Sequence, residues 1–338
     1  MLKAKIGIGP MSTEITEAVF RYSHYHRKEL MLIPSKNQVD HSGGYVNNWT
    51  TADFMNFVRT MKQKYPYSSV KICRDHCGPG FNGNFDLADV YKSMESDIKN
   101  GFDLIHVDFC HFQGTKQEMF AEAKKAVEFC LKLNPNILLE IGTDENRAAQ
   151  FTINDLSTLE EEIDFFKSFC SPEFYVVQTG SLVKEMNQVG DFNRDFIAKV
   201  SQVLHQKGLK LKEHNADYLP TAEIAKRNGI VDAMNIAPQF GVIQTQLVLT
   251  KCLQYGVNFS DFLERVYTGN KWKKWLHNNT EENKFLCCVV AGHYHFSSPE
   301  YIKIIQQLEL HEEIHETIIN AMMEVIDHYE KFSPSREQ

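Results

Sequence analysis

Short apolar runs rich in Ile, Val and Leu alternate with longer amphipathic stretches along the first three quarters of the chain. The runs at residues 5–9, 30–34, 70–74, 103–108, 137–141, 174–178, 209–213 and 231–236 predict strands. The stretches at 13–27, 51–64, 86–99, 116–133, 155–169, 191–206, 221–228 and 240–254 predict helices. Thr51 with Asp53, and the pair Asn154/Asp155, read as helix starts, while Gly101, Gly208 and Gly229 read as helix ends. Strands whose apolar residues are continuous rather than alternating are buried on both faces. Eight consecutive βα units of this kind predict a closed parallel (β/α)8 TIM barrel over residues 1–254. No GxGxxG follows any strand, which argues against an open dinucleotide-binding sheet.

From residue 255 the strand signal gives way to helical patterns, predicting a helical C-terminal extension over 255–338 packed on the barrel. Its last helix is expected to carry Ile304, Leu308, Ile318, Met322 and Val325 on one apolar stripe. Trp272-Lys273-Lys274-Trp275 and His293-Tyr294-His295 are candidates to cover the barrel mouth, packing being the plainer use of the two tryptophans.

A net charge of −8, with acids and bases interleaved and no basic stretch, excludes nucleic acid as a partner. The absence of a long apolar run and of a signal-peptide pattern predicts a cytoplasmic protein without a membrane contact. Eight cysteines without framework spacing read as reduced thiols, and Cys73 and Cys77, which flank Asp75-His76, as packing residues.

In such a barrel the chemistry lies at the C-terminal ends of the strands. The predicted ends are polar: Ser35 to Gln38, Asp75-His76, His106 and Asp108, Glu140, Gln178, Glu213-His214-Asn215, and Asn235. His76, Glu140 and His214 could give three ligands to one divalent ion and leave a position open for substrate. Imidazole plus carboxylate suits Zn²⁺, and also Mn²⁺, Fe²⁺ or Co²⁺. Asp75 directly precedes His76, so its side chain is expected to leave the strand in another direction and to serve as general acid/base. Arg74 and Lys36 are the basic residues nearest the expected mouth, placed to bind a phosphate or carboxylate or else to be solvated. His311-Glu312-Glu313-Ile314-His315 matches H-E-x-x-H, but in an acidic tail helix without a third ligand it reads as coincidence.

Several segments together carry a family resemblance: Asn37-Gln38 with Gly43-Gly44-Tyr45, Asp75-His76-Cys77-Gly78-Pro79, His106-Val107-Asp108, Glu140-Ile141-Gly142, Val177-Gln178, Glu213-His214 with Asp217-Tyr218, and Asn235-Ile236. By these the chain resembles the class II aldolase-like superfamily, and within it the tagatose-bisphosphate aldolase subunit of the Z type, often called non-catalytic. The resemblance implies Asp75 as catalytic acid/base, and His76, His214, Glu140 and Gln178 as metal residues, Gln178 standing where catalytic members keep a further histidine. It also implies substrate contacts from Asn37, Gln38, Gly44, Asp108, Asp217 and Asn235. The implied cofactor is Zn²⁺, with Mn²⁺ as the alternative.

The implied activity is reversible retro-aldol cleavage of a ketose or ketose phosphate. Sugar epimerisation at the same site, and a non-catalytic role stabilising an aldolase, are the alternatives. The implied partners are a small sugar or sugar phosphate and either further copies of the chain or a second aldolase subunit. Two departures stand out: Asn215-Ala216-Asp217-Tyr218 replaces the family's Gly-rich phosphate loop, and Ala237-Pro238 replaces its Asp-Thr pair.

Overall fold

The structure, a computed structural model, describes residues 2–143, 153–276 and 283–332. The strands are β1 (Ile6–Ile8), β2 (Glu29–Leu32), β3 (Ser69–Cys77), β4 (Leu104–Val107), β5 (Leu138–Thr143), β6 (Phe174–Val177), β7 (Val183–Lys184), β8 (Asn187–Gln188), β9 (Lys210–Glu213) and β10 (Ala233–Ile236). Eight of them close a parallel barrel in the order β1-β10-β9-β6-β5-β4-β3-β2, and β7 and β8 form a short antiparallel hairpin. The (β/α)8 barrel predicted from the apolar pattern is the fold of the chain.

The crossover helices are α1 (Thr13–His26), α2 (Thr51–Lys64), α3 (Leu87–Asn100), α4 (Lys116–Leu133), α5 (Ile153–Lys167), α6 (Arg194–Gln206), α7 (Thr221–Arg227) and α8 (Pro238–Tyr255). Thr50, one residue before the expected start, caps α2 through a reciprocal capping box with Asp53. Gly101 ends α3 at φ 94°, as expected of a helix-terminating glycine. The side chains of Asn154 and Asp155 lie outside the described residues.

Alternation along the strands turns the barrel interior from apolar to polar. Leu104, Leu138, Phe174 and Ala233 pack with Met31, Ile33 and Cys73 in a closed apolar plug. Two residues further along three of these strands stand His106, Glu140 and Asn235, all buried. Because side chains two apart share a face, the same period that fills the plug floors the mouth with polar groups. Strand β3 runs past its predicted end at Arg74 as far as Cys77, its register against β4 slipping between those two residues.

Beyond α8 come α9 (Ser260–Thr268), α10 (Lys284–Ala291), α11 (Pro299–Leu308) and α12 (Ile314–Phe332). The single expected stripe is split: Ile304 and Leu308 lie on α11 and Ile318 and Met322 on α12, where Ile326 rather than Val325 is the buried residue. Helix α12 lies along α1 and also touches α7 and α8. The turn between α11 and α12 dismantles the H-E-x-x-H match, since His311 and Glu312 precede α12. His311 stacks on Tyr255, Glu312 pairs with Lys251, and His315 bonds Glu14 and Glu309. Trp272 is buried against Tyr267, and the Trp275 carbonyl accepts the Glu185 amide of the hairpin turn. Among the described residues no helix is long and apolar enough to cross a membrane.

Candidate active site

Asp75 and His76 reach the same place although they are consecutive, which corrects the expectation that they diverge. His76 has φ 46°, the left-handed region, inside the stretch where β3 slips its register. This breaks the alternation, so the Asp75 carboxylate lies 3.9 Å from His76 Nε2 and 3.8 Å from His214 Nε2. A non-glycine residue holds such a φ only where its surroundings determine it. Here Asp108 accepts from His76 Nδ1 at 2.8 Å and Phe81 stacks on the ring at 4.7 Å. Burial alone would raise the Asp108 carboxyl, but the His76 hydrogen bond lowers it, so it remains ionised.

Three imidazoles and three carboxylates converge at this point. His214 Nδ1 faces His76 Nε2 at 3.2 Å, and His214 Nε2 faces Glu140 Oε1 at 3.1 Å. His76, His106 and His214 form one set, and Asp75, His106, Glu140 and His214 another, each with nitrogen or oxygen atoms within 4.8 Å of one another. The chemistry of the donors narrows these sets. His106 Nδ1 accepts the His76 backbone N–H at 3.2 Å, so Nε2 carries the ring proton and donates to the Gly142 carbonyl at 2.9 Å. Burial keeps this ring neutral against the pull of Glu140 and Asp108. With both nitrogens committed, His106 braces His76 and offers no lone pair. The donors left, His76 with His214 in one set and Asp75, Glu140 and His214 in the other, are of the imidazole and carboxylate kind that a borderline divalent cation takes. Asp108, behind His76, is the kind of partner that fixes a ligand's tautomer.

Glu140 and Lys212 were not paired by sequence reasoning. Lys212 Nζ donates to Glu140 Oε2 at 2.6 Å with both side chains buried. Burial would raise the Glu140 carboxyl, and the Lys212 ammonium with the His214 hydrogen bond holds it below its ordinary range. The missed signal was period two: Lys212 stands two residues before His214 on the same inward face.

The other predicted residues divide. Asn235 Nδ2 donates to Asp75 Oδ1 at 3.2 Å, while its Oδ1 is buried without a partner. Gly7 makes room for it, since a Cβ there would come within 2.3 Å of Asn235 Oδ1. Asn37 Nδ2 donates to the Phe81 carbonyl, and Gln38 Oε1 accepts the Ser35 amide. Gly44 serves a close backbone approach, because a Cβ would stand 2.2 Å from the Gln38 carbonyl. Gln178 directly follows β6 and is half-buried.

Arg74 and Lys36 are neither solvated nor open to a ligand. Arg74 forms a buried forked pair with Asp97, and Lys36 is buried 2.8 Å from Asp89, both acids belonging to α3. Asp217 also faces away from solvent, its Oδ1 accepting the backbone N–H groups of Ala237 and Gln239.

Burial pushes the Asp217 carboxyl up to about 7, against the lowering effect of those two amides. An unfolded Asp releases its proton near pH 4, so between roughly pH 4 and 7 the folded chain binds the extra proton and stability falls as pH rises. Asp217→Asn keeps the acceptor and removes the titration. Relative to wild type, the variant should gain on the order of 3 kcal/mol on going from pH 5 to pH 8. Denaturant unfolding at the two pH values measures this, and parallel curves for the two proteins would refute the shift.

Fold and cluster together define a (β/α)8 barrel whose C-terminal mouth gathers histidines and carboxylates. Solved structures with this architecture include a Sinorhizobium meliloti 1021 protein described as a probable tagatose 6 phosphate kinase. It matches at TM-score 0.76 and 18% identity over 97% of this chain and 92% of that one. The Campylobacter jejuni fructose-bisphosphate aldolase matches at TM-score 0.60 and 11% identity over 97% and 90% of the two chains. The YdjI aldolase of Escherichia coli K12 matches at TM-score 0.53 and 14% identity over 91% of each. These likenesses show a shared (β/α)8 fold. No protein-family model matches the chain.

Proposed function

We propose that the chain is a divalent-metal-dependent enzyme that cleaves a ketose sugar by a retro-aldol reaction. The observation that carries this reading is the gathering of His76, Glu140 and Asp75 around His214 at the barrel mouth. His76 lies 3.2 Å and Glu140 3.1 Å from its two ring nitrogens, and the Asp75 carboxylate 3.8 Å from it and 3.9 Å from His76. His76, His214 and Glu140 would hold the cation, and proton and cation compete for the same lone pairs. A cation bound there supplies Lewis-acid polarisation of a ketose carbonyl.

Asp75 does the proton transfer. Its Oδ1 is held by Asn235, which leaves Oδ2 to take the proton of the hydroxyl on the carbon about to separate. The C–C bond then breaks, the electron pair stays with the ketone-bearing fragment and the other fragment leaves as an aldehyde. In the reverse direction Oδ2 returns the proton. Asp108 holds the His76 ring at Nδ1 and His106 holds the His76 backbone N–H, which turns Nε2 toward His214. Phe81 stacks on that ring.

Incubating the chain with ketoses, ketose phosphates and keturonates, with and without Zn²⁺ or Mn²⁺, and following the products by NMR tests the proposal. The expected result is an aldehyde fragment that appears only with added metal. Formation of an epimer alone would replace cleavage by epimerisation, and no turnover or solvent-proton exchange across the panel would reject the enzyme.

A further inference from the structure

We infer that the sugar bound at this mouth carries no phosphate at the end facing β9 and β10, because Asp217 fills the corner where such a barrel would hold one. The inference rests on the sugar-site reading above and names its substrate class. Barrels of this type place phosphates at the loops after the seventh and eighth strands and at a helix N-terminus, where free backbone N–H groups point at the anion.

Here those amides are spent within the protein. At the start of α8, the Ala237 and Gln239 N–H groups donate to Asp217 Oδ1 at 3.0 and 2.9 Å. Pro238 between them has no N–H, and Phe240 N–H turns back to the Ala237 carbonyl. In the loop after β9, Ala216 N–H donates to the Asn235 carbonyl, Tyr218 N–H to Gln239 Oε1 and Leu219 N–H to the Tyr329 hydroxyl.

Charge and hydrogen-bonding type point the same way. The buried cations around the barrel, Lys36, Arg74, Lys212 and Arg227, each face a carboxylate: Asp89, Asp97, Glu140 and Glu213. At the cluster Lys212 is matched by Glu140, so among the described residues no buried Lys or Arg is left over for a phosphate dianion. The Asn235 Oδ1, on a side chain only 3% exposed, is an acceptor that a sugar hydroxyl can satisfy and an ionised phosphate cannot.

The test has two arms on the full-length chain. With Zn²⁺ present, turnover of fructose and of fructose 1,6-bisphosphate is compared, and a preference for the unphosphorylated ketose on the order of a hundredfold is expected. In the second arm, chelator-treated protein is titrated with inorganic phosphate and followed by ³¹P line broadening. Wild type and Asp217→Asn should leave the line sharp, whereas Asp217→Ala, which frees two amides, should broaden it saturably. Preference for the bisphosphate, saturable broadening by wild type, or a folded Asp217→Ala that leaves the line sharp overturns the inference. Absence of turnover with either sugar rejects the enzyme reading instead, and the phosphate arm still reports on the corner.

Discussion

Asp75→Asn is expected to lower sugar turnover by about 10²–10⁴-fold while the chain keeps its affinity for the divalent cation. Asparagine has the same shape and can retain the contact from Asn235 Nδ2, which reaches Asp75 Oδ1 at 3.2 Å. Only the capacity of the second oxygen to accept a proton is lost. The carboxylate also lies within 4 Å of His76 Nε2 and His214 Nε2, close enough to be a ligand. Measuring turnover and metal affinity on the same preparation separates the two roles. Loss of the metal along with the activity would make Asp75 a ligand, and undiminished turnover would remove it from the mechanism.

The second large effect is on stability. Lys212→Met should destabilise the chain by about 3–5 kcal/mol, because it leaves Glu140 buried without the cation that compensates its charge. Lys212 and Glu140 lie across the barrel interior from each other, 2.6 Å apart and each about 1% exposed. The double variant Lys212→Met/Glu140→Gln should recover much of the loss, since no unpaired charge remains. Urea unfolding of the two variants provides the comparison. A Lys212→Met loss below about 1 kcal/mol would mean that the pair is solvated rather than buried.

The barrel was legible in the sequence because strands buried on both faces show as continuous apolar runs, and eight of them occur in register with amphipathic stretches. What the pattern could not show were places where backbone geometry overrides periodicity. The left-handed φ of His76 falls at a residue type that adopts it more often than most but still seldom, so the turn that aims Asp75 and His76 together could not be read from residue type alone. The break between α11 and α12 was hidden because apolar spacing continued across the turn, where the exposed Leu310 and the stacked His311 stand.

The site was legible where it depended on strand ends and illegible where it depended on partners distant in sequence. His76, Glu140 and His214 were identifiable as candidates because each stands within two residues of the end of a predicted strand. Arg74 and Lys36 looked available because Asp97 and Asp89, which neutralise them, are presented by α3 and meet them only in the folded chain. Asp217 was expected at the substrate on the strength of its neighbourhood in sequence. The fold instead turns its carboxyl into the start of α8, a direction that the spacing 214 to 217 does not reveal.

The central claim is that the mouth binds a divalent cation through His76, His214 and Glu140. Equilibrating the purified chain with Zn²⁺, removing free ion and counting bound metal tests it most directly, with His76→Ala/His214→Ala as the comparison. The account predicts about one ion per chain for wild type and almost none for the double variant. A wild-type chain that holds no ion, or a folded double variant that holds as much as wild type, would contradict it.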